Sequence, residues 1–393
     1  MKTNPKTHMT LSVFRLATIL PRAGLVACLL LPLIARAATV EERLDQLEKK
    51  VTTLTQENVS LKKQLGYDAK GNAPATVAVQ GKEAKLAFGG FVQFQGEAGE
   101  APDSRFVNRD RFLIRRARIG VKGTFAEGFD FVLQSDWGNN SLAETAAYRA
   151  QLTDAFVTWT KFSYANITVG QFKVPYGYEQ LLADTKTLFV ERSLPNDLLS
   201  IPRQAGLMVA GSFLDKMVGY ATAITNGNGT NNGGNDNEQF QYIGRVYGTA
   251  FNGHGVKVTL GANGFMAYDT GTFTGHRTGR AIDAQVSYAG AEIDAELLRT
   301  HFDRDVGTDY NAQGWSVLGS YFILPGKLQG VLRYETYDPS FATFGDKTTL
   351  RTIGLNYLLK GDDVKFMLDY LSGNTPNTLK HQDRLLGRMQ IIF

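Results

Sequence analysis

The stretch RDRFLIRRARIGVKG, residues 109–123, holds five arginines and a lysine, yet Leu113, Ala117, Ile119 and Val121 recur on alternate positions. Read as a strand, that pattern puts grease on one face and Arg116, Arg118 and Lys122 on the other. A row of cations on one wall is chemistry for attracting and passing anions, not for making or breaking bonds. Arg115 falls on the apolar parity and is expected near a rim, where its long stem reaches a polar layer. Catalytic alternatives find no support. His254, His276, His301 and His381 have no metal-ligand spacing, and no serine–histidine–carboxylate set stands out. No phosphate-cradling nucleotide loop occurs, and the Asn/Gly-rich segment 226–238 lacks the repeat of a calcium-binding array. The expectation is therefore no enzyme, no cofactor, no metal and no nucleic-acid partner.

The elements that carry this strand follow from the rest of the 393 residues. Lys2, Lys6, Arg15 and Arg22 precede an apolar run, Ala23–Ile34, and the small-x-small site Ala35–Ala37. This is a secretory signal over residues 1–37, too short in its apolar part to span a bilayer. Acylation at Cys28 is the weaker reading, because the apolar run continues past it. Removal of the signal takes away five basic and no acidic residues, so the balance moves from 42 against 38 to 37 against 38. Any attraction for anions must then come from local arrangement, not from net charge. The only cysteine, Cys28, leaves with the signal.

Residues 38–66 carry a heptad. Leu44, Val51, Asn58 and Leu65 fill a positions, Val40, Leu47, Leu54 and Leu61 fill d positions, and the flanks pair opposite charges. This predicts a coiled-coil oligomerisation helix, with Asn58 fixing register. A polar linker, 67–85, follows. Residues 86–393 then alternate in segments of about ten residues, separated by turns that are brief and long in alternation, as transmembrane strands require. In Asp363–Leu371, Val364, Phe366, Leu368 and Tyr370 oppose Lys365 and Asp369; the last strand ends on Phe393 with Leu385, Met389 and Ile391 on its side. Long loops are expected near 98–110, 138–147, 172–204, 226–238, 269–278, 302–310, 338–347 and 372–382. The fold class is an all-β, sixteen-stranded antiparallel transmembrane barrel, apolar outside and polar inside, because hydrocarbon tolerates only a closed sheet. That places the chain in lipid, in a bacterial outer membrane.

The third loop, Gly170–Gly206, is the longest and carries apolar residues without strand rhythm. Such a loop is expected to fold inward and narrow the passage. Its Lys173, Arg192 and Arg203 would join Arg116, Arg118 and Lys122 as the positive, anion-attracting side of a constriction. Glu191 and Asp197 would form the negative side. Asp154, Glu335, Asp294 and Glu296 are expected to pair with part of the basic groups, whereas Arg245, Arg333 and Arg388 stand alone on their strands.

The segments FLIRRARIGVKGTF, LTDAFVTW, ITVGQFKVPYGYEQL and FVERSLPNDL occur in this order and resemble the phosphate-selective porin O and P family over about residues 86–393. The resemblance implies an outer-membrane porin, a homotrimer, and passive diffusion of small anionic or neutral hydrophilic solutes. A structural anchor, its coiled coil tethering the membrane to peptidoglycan, is the other expectation.

Overall fold

The computed structural model describes residues 40–64, 77–81, 84–126, 128–139, 142, 148–271, 273–374, 376 and 382–393. The signal segment and its cleavage site lie outside the described residues, as do His381 and most of the linker. The chain divides into two compact units, 1–58 and 59–393.

Helix α1 (Val40–Gln64) carries the heptad. Its apolar stripe is bare: Leu44, Leu47, Val51 and Leu54 are 58–61% exposed. An exposed Lys49–Asp45 pair one turn apart adds to it.

The second unit is a sheet of seventeen strands. These are β1 (Val77–Gln80), β2 (Ala84–Gly99), β3 (Arg111–Phe125), β4 (Phe129–Asp136), β5 (Gln151–Phe162) and β6 (Ala165–Lys173). After a loop come β7 (Arg203–Phe213), β8 (Val218–Thr225), β9 (Gln241–Gly253), β10 (Val256–Thr270), β11 (Thr274–Tyr288) and β12 (Ala291–Arg304). The sheet ends with β13 (Tyr310–Leu324), β14 (Leu328–Asp338), β15 (Thr348–Leu358), β16 (Val364–Asn374) and β17 (Gln382–Ile392). Each of β2 to β17 pairs antiparallel with its sequence neighbour, and β17 closes onto β2 from Arg384↔Gly99 to Ile392↔Phe91. Phe393 and Gly90 then exchange two backbone hydrogen bonds. Below that point β1 takes over the same edge of β2, from Val77↔Phe88 to Gln80↔Lys85. The result is the sixteen-stranded barrel expected from the alternation.

Polarity follows the pleat. On β16, Phe366, Leu368 and Tyr370 are 41–48% exposed on the outside, while Lys365 and Asp369 are buried inside. Rings gather near the short-turn rim: Phe125 with Phe129, Trp159 with Phe162, and Phe213 with Tyr220, at 5.4–5.6 Å. Two expectations fail locally. The connection expected as a long loop at 269–278 is a tight hairpin, because β10 runs on to Thr270 and β11 starts at Thr274. On β3, the register against β2 jumps between Gln93↔Arg116 and Phe94↔Ile114. This bulge at Arg115 reverses the parity of everything before it. Leu113 and Arg115 therefore point inward and are buried, and Phe112, not Leu113, faces lipid at 94% exposure.

Candidate functional site

The 174–202 loop enters the barrel and stays there. It contains two short helices, α2 (Tyr178–Leu181) and α3 (Leu194–Leu199, opened by Pro195 and capped by the Ser193 hydroxyl). One face of the loop is apolar. Val174, Tyr176, Leu199 and Ile201 pack on inward residues of β8 to β13, among them Ala223, Ile243, Phe265, Ala281, Leu298 and Ala312. That sector of the inner wall is therefore dry, against the general rule of a polar lumen, because the loop is its lining.

The loop's backbone is stitched to the far wall. Asp369 accepts from Val190 N (2.7 Å), Glu335 from Leu194 N (2.6 Å), and Asn263 from Gly177 N (3.0 Å). Glu296 accepts from the amides of Tyr178 and Glu179 and from Asn196. In return Asn356 donates to Leu188 O (2.8 Å), and Lys365 donates to Thr185 O and Thr187 O (both 3.2 Å). An N–H or carbonyl buried without a partner is costly, so a loop so fully bonded has one place to be.

Two loop carboxylates fix the charge pattern. Glu191 is buried and clamped by Arg115 (Nε–Oε1 2.8 Å) and Arg388 (Nη2–Oε1 2.6 Å). Burial alone would raise this carboxyl, but Arg115 and Arg388 override it and hold it far below the ordinary range. Asp184 is shared by Arg118, Arg192 (2.7 Å) and Arg116 (3.5 Å). Here too burial would raise the carboxyl, and Arg118, then Arg192 and Arg116, hold it well below its usual value.

What the loop leaves open lies on its other side, against β3 to β7. An outer vestibule of about 730 Å³ is lined by Arg105, Arg115, Arg116, Gln151, Arg192 and Asp197, among others. An inner-side vestibule of about 440 Å³ is lined by Lys122, Gln134, Asp154, Thr185 and Phe393, among others. The two share four residues, Arg118, Lys173, Asp184 and Arg203, which therefore mark the neck between them. Arg203 holds Asp154 through two contacts, 2.8 and 2.9 Å. Among the described residues Lys173 Nζ donates to carbonyls alone, Gln180 O (2.9 Å) and Leu182 O (2.6 Å).

Of the residues singled out in the sequence, Arg118, Lys173 and Arg203 meet at the neck, and Lys122 lies in the lower vestibule. Arg116 and Arg192 face the upper vestibule but turn toward Asp184, and Asp197 sits there beside Arg105 (2.6 Å). Glu191 is turned away from the passage. Arg115 is not at the lipid rim: the bulge swings it inward onto Glu191. Nor do the lone arginines stand alone, since Arg245 pairs with Asp283 (2.6 Å), Arg333 with Glu335 (3.1 Å) and Arg388 with Glu191. The neck residue not singled out is Asp184; three residues past α2, it was one of several loop charges expected to bear on selectivity, with nothing in the sequence to set it apart from the others.

A family profile described as phosphate-selective porin O and P matches residues 88–292 and 288–393. No sequence among the curated proteins matches the chain. Solved structures share the fold at low identity. An anion-selective porin from Comamonas acidovorans is 14% identical, with TM-score 0.57 over 79% of this chain and 100% of its own. Salmonella typhi OmpF in complex with daunomycin is 14% identical, with TM-score 0.60 over 81% and 100%. The outer-membrane channel DcaP of Acinetobacter baumannii is 12% identical, with TM-score 0.59 over 80% and 99%. With the profile running along the barrel and the third loop built across its bore, the chain belongs to the phosphate-selective porin O and P family, the passive diffusion channels of the bacterial outer membrane.

Proposed function

We propose that this porin favours small anions and that the selecting element is the neck formed by Arg118, Lys173 and Arg203 opposite Asp184. The observation that carries the reading is the imbalance there. Asp184 is already shared by three guanidiniums, Arg203 is balanced by Asp154, and Lys173 has no carboxylate within ion-pair distance among the described residues. A lysine beside the passage with no carboxylate at ion-pair distance gives an anion a partner that a cation lacks. Lys122 below and Arg116 and Arg192 above extend the positive side, with Asp197 as the outer acid. The Comamonas porin of the same fold, described as anion-selective, supports the same reading.

The test is the reversal potential of the pure protein in a planar bilayer under a potassium chloride gradient. It is expected to lie on the chloride side, and Lys173→Glu is expected to move it toward potassium; a native potential on the potassium side ends the proposal. Running the gradient with phosphate in place of chloride ranks the two anions. We further propose that the first 37 residues are cleaved and that the chain works as a trimer, joined through the heptad of α1, whose bare apolar stripe needs a partner.

A further inference from the structure

The outer wall ends its apolar band on a pair of like charges. On the outward face of β11 and β12 the cross-strand partners read Tyr288↔Ala291, Val286↔Ile293, Ala284↔Ala295 and Ile282↔Leu297, and then Arg280↔Arg299. Beyond them lie Thr278↔His301 and His276↔Asp303, leading to the rim of the long loops. Both arginines are exposed. Neither forms an ion pair or hydrogen bond among the described residues; Arg299 only overlies the Phe341 ring at 5.4 Å. Directly opposed cations repel across an antiparallel pair, so this arrangement opposes folding unless an anion lies between them. Their place along the strand fits such an anion. Arg280 lies eight residues above Tyr288, about 20 Å along the barrel axis at the usual strand rise and tilt, near the top of a hydrocarbon band of about 25 Å.

The neighbours on either side of the pair leave room and add a donor. Arg280 faces Gly264 on β10, and Gly264 faces Gly244 on β9, so the wall dips beside it. Arg299 faces the amide-bearing Gln313 on β13. The titratable groups next along this face are His301, Asp303 opposite His276, and Asp338 opposite Gln313, one strand beyond Arg299's own neighbour.

We propose that Arg280 and Arg299 clamp the phosphate of an anionic membrane lipid, one whose headgroup carries no cation of its own, with its acyl chain running down the Ile282/Leu297 column. The occupant is a lipid rather than a free ion because the clamp sits on the lipid-facing wall, with the apolar ladder directly beneath it. The proposal needs only that the barrel lies in a bilayer; it is independent of the selectivity of the bore, which conductance reads separately.

The site carries its own probe. Trp315 lies outward on β13, opposite Leu297 and one outward position below Gln313. With Trp137 and Trp159 replaced by Phe, it is the sole tryptophan. The protein is refolded into phosphatidylcholine vesicles containing a small fraction of either brominated-chain phosphatidic acid or brominated-chain phosphatidylcholine, and Trp315 fluorescence is read. Quenching is expected to favour the acidic lipid by about five-fold per arginine engaged. The preference is expected to vanish in R280Q/R299Q, to survive in R280K/R299K, and to collapse in 1 M salt in the unaltered pair. Equal quenching by the two lipids overturns the proposal, as does a preference that salt leaves unchanged. Absence of quenching by either lipid also overturns it, since a second copy of the chain would then cover this face. The salt arm keeps the test decisive if the glutamine variant fails to fold.

Discussion

Asp184 is the residue on which the bore depends, because one carboxylate balances guanidiniums from two origins. Arg118 belongs to the wall, Arg192 to the loop, and Asp184 sits between them. Removing one partner of a buried ionic cluster costs up to about 3–5 kcal/mol; here Arg192 and Arg116 lose their carboxylate, while Arg118 keeps Asp136 (2.8 Å). Asp184→Asn is therefore expected to loosen the loop while leaving the barrel folded. The readout is single-channel current, which should become noisy with excursions to larger openings; a quiet trace at native conductance sinks the assignment. The pH dependence follows from the same group. A carboxyl whose folded value is depressed stabilises fully above its unfolded value of about 4, and that contribution fades as pH falls through the lower folded value. Glu191, held down by Arg115 and Arg388, shifts in the same direction. Asp184 and Glu191 should hold the loop undiminished from pH 7 to about 4 and let go only in stronger acid. Onset of noise near pH 6 would assign the loop's hold to the wall carboxylates that accept from its backbone, Glu296, Glu335 and Asp369, and not to the two loop acids.

At the scale of elements, the loop and the wall are shaped to one another, and glycine marks where. A Cβ on Gly314 of β13 would lie 2.5 Å from Pro195 Cβ in α3, closer than packed carbons allow, and 2.9 Å from Thr336 O. Gly314→Ala is expected to push α3 off the wall, at about 1–3 kcal/mol, and to raise conductance. Adding Pro195→Gly should return it toward native if the loop is the strained partner; failure of that rescue would assign the strain to the strand. This complementarity also explains what could be read from the chain alone. The outward faces were legible because lipid imposes one rule at every second residue, and β16 and β17 obey it throughout. The first turn of β3 was not, since a single bulged residue at Arg115 reverses inside and outside without any change in composition. The ion pairs of the bore were illegible for another reason. Arg388 and Glu191 are 197 residues apart and meet only because a loop crosses the lumen to the closing strand. Of the three neck cations, Arg118 was visible on the polar face of a strand, and Lys173 and Arg203 were visible as basic residues at the edges of the loop. Their acid, Asp184, was one of several in a segment with no period to orient it.

At the scale of the whole molecule, the barrel accounts for its own stability through closure, and the helix does not. A 25-residue helix with its apolar stripe more than half exposed is marginal alone, because tertiary packing supplies most helical stability. Four heptads with Leu at most d positions supply that packing when chains associate, and Asn58 at an a position sets the helices in register at some cost. Two roles for this segment make opposite demands on one experiment. If the heptads assemble the porin, deleting residues 39–66 should convert trimers to monomers in mild detergent, read by native mass spectrometry, while each monomer still conducts. If they tether the membrane to peptidoglycan, the same deletion should leave trimers and conductance unchanged and abolish co-sedimentation with purified cell-wall sacculi. The exposed stripe favours assembly, because its Leu and Val side chains match a second copy of themselves and offer a polysaccharide nothing. Intact trimers after deletion would show that the barrel walls associate unaided.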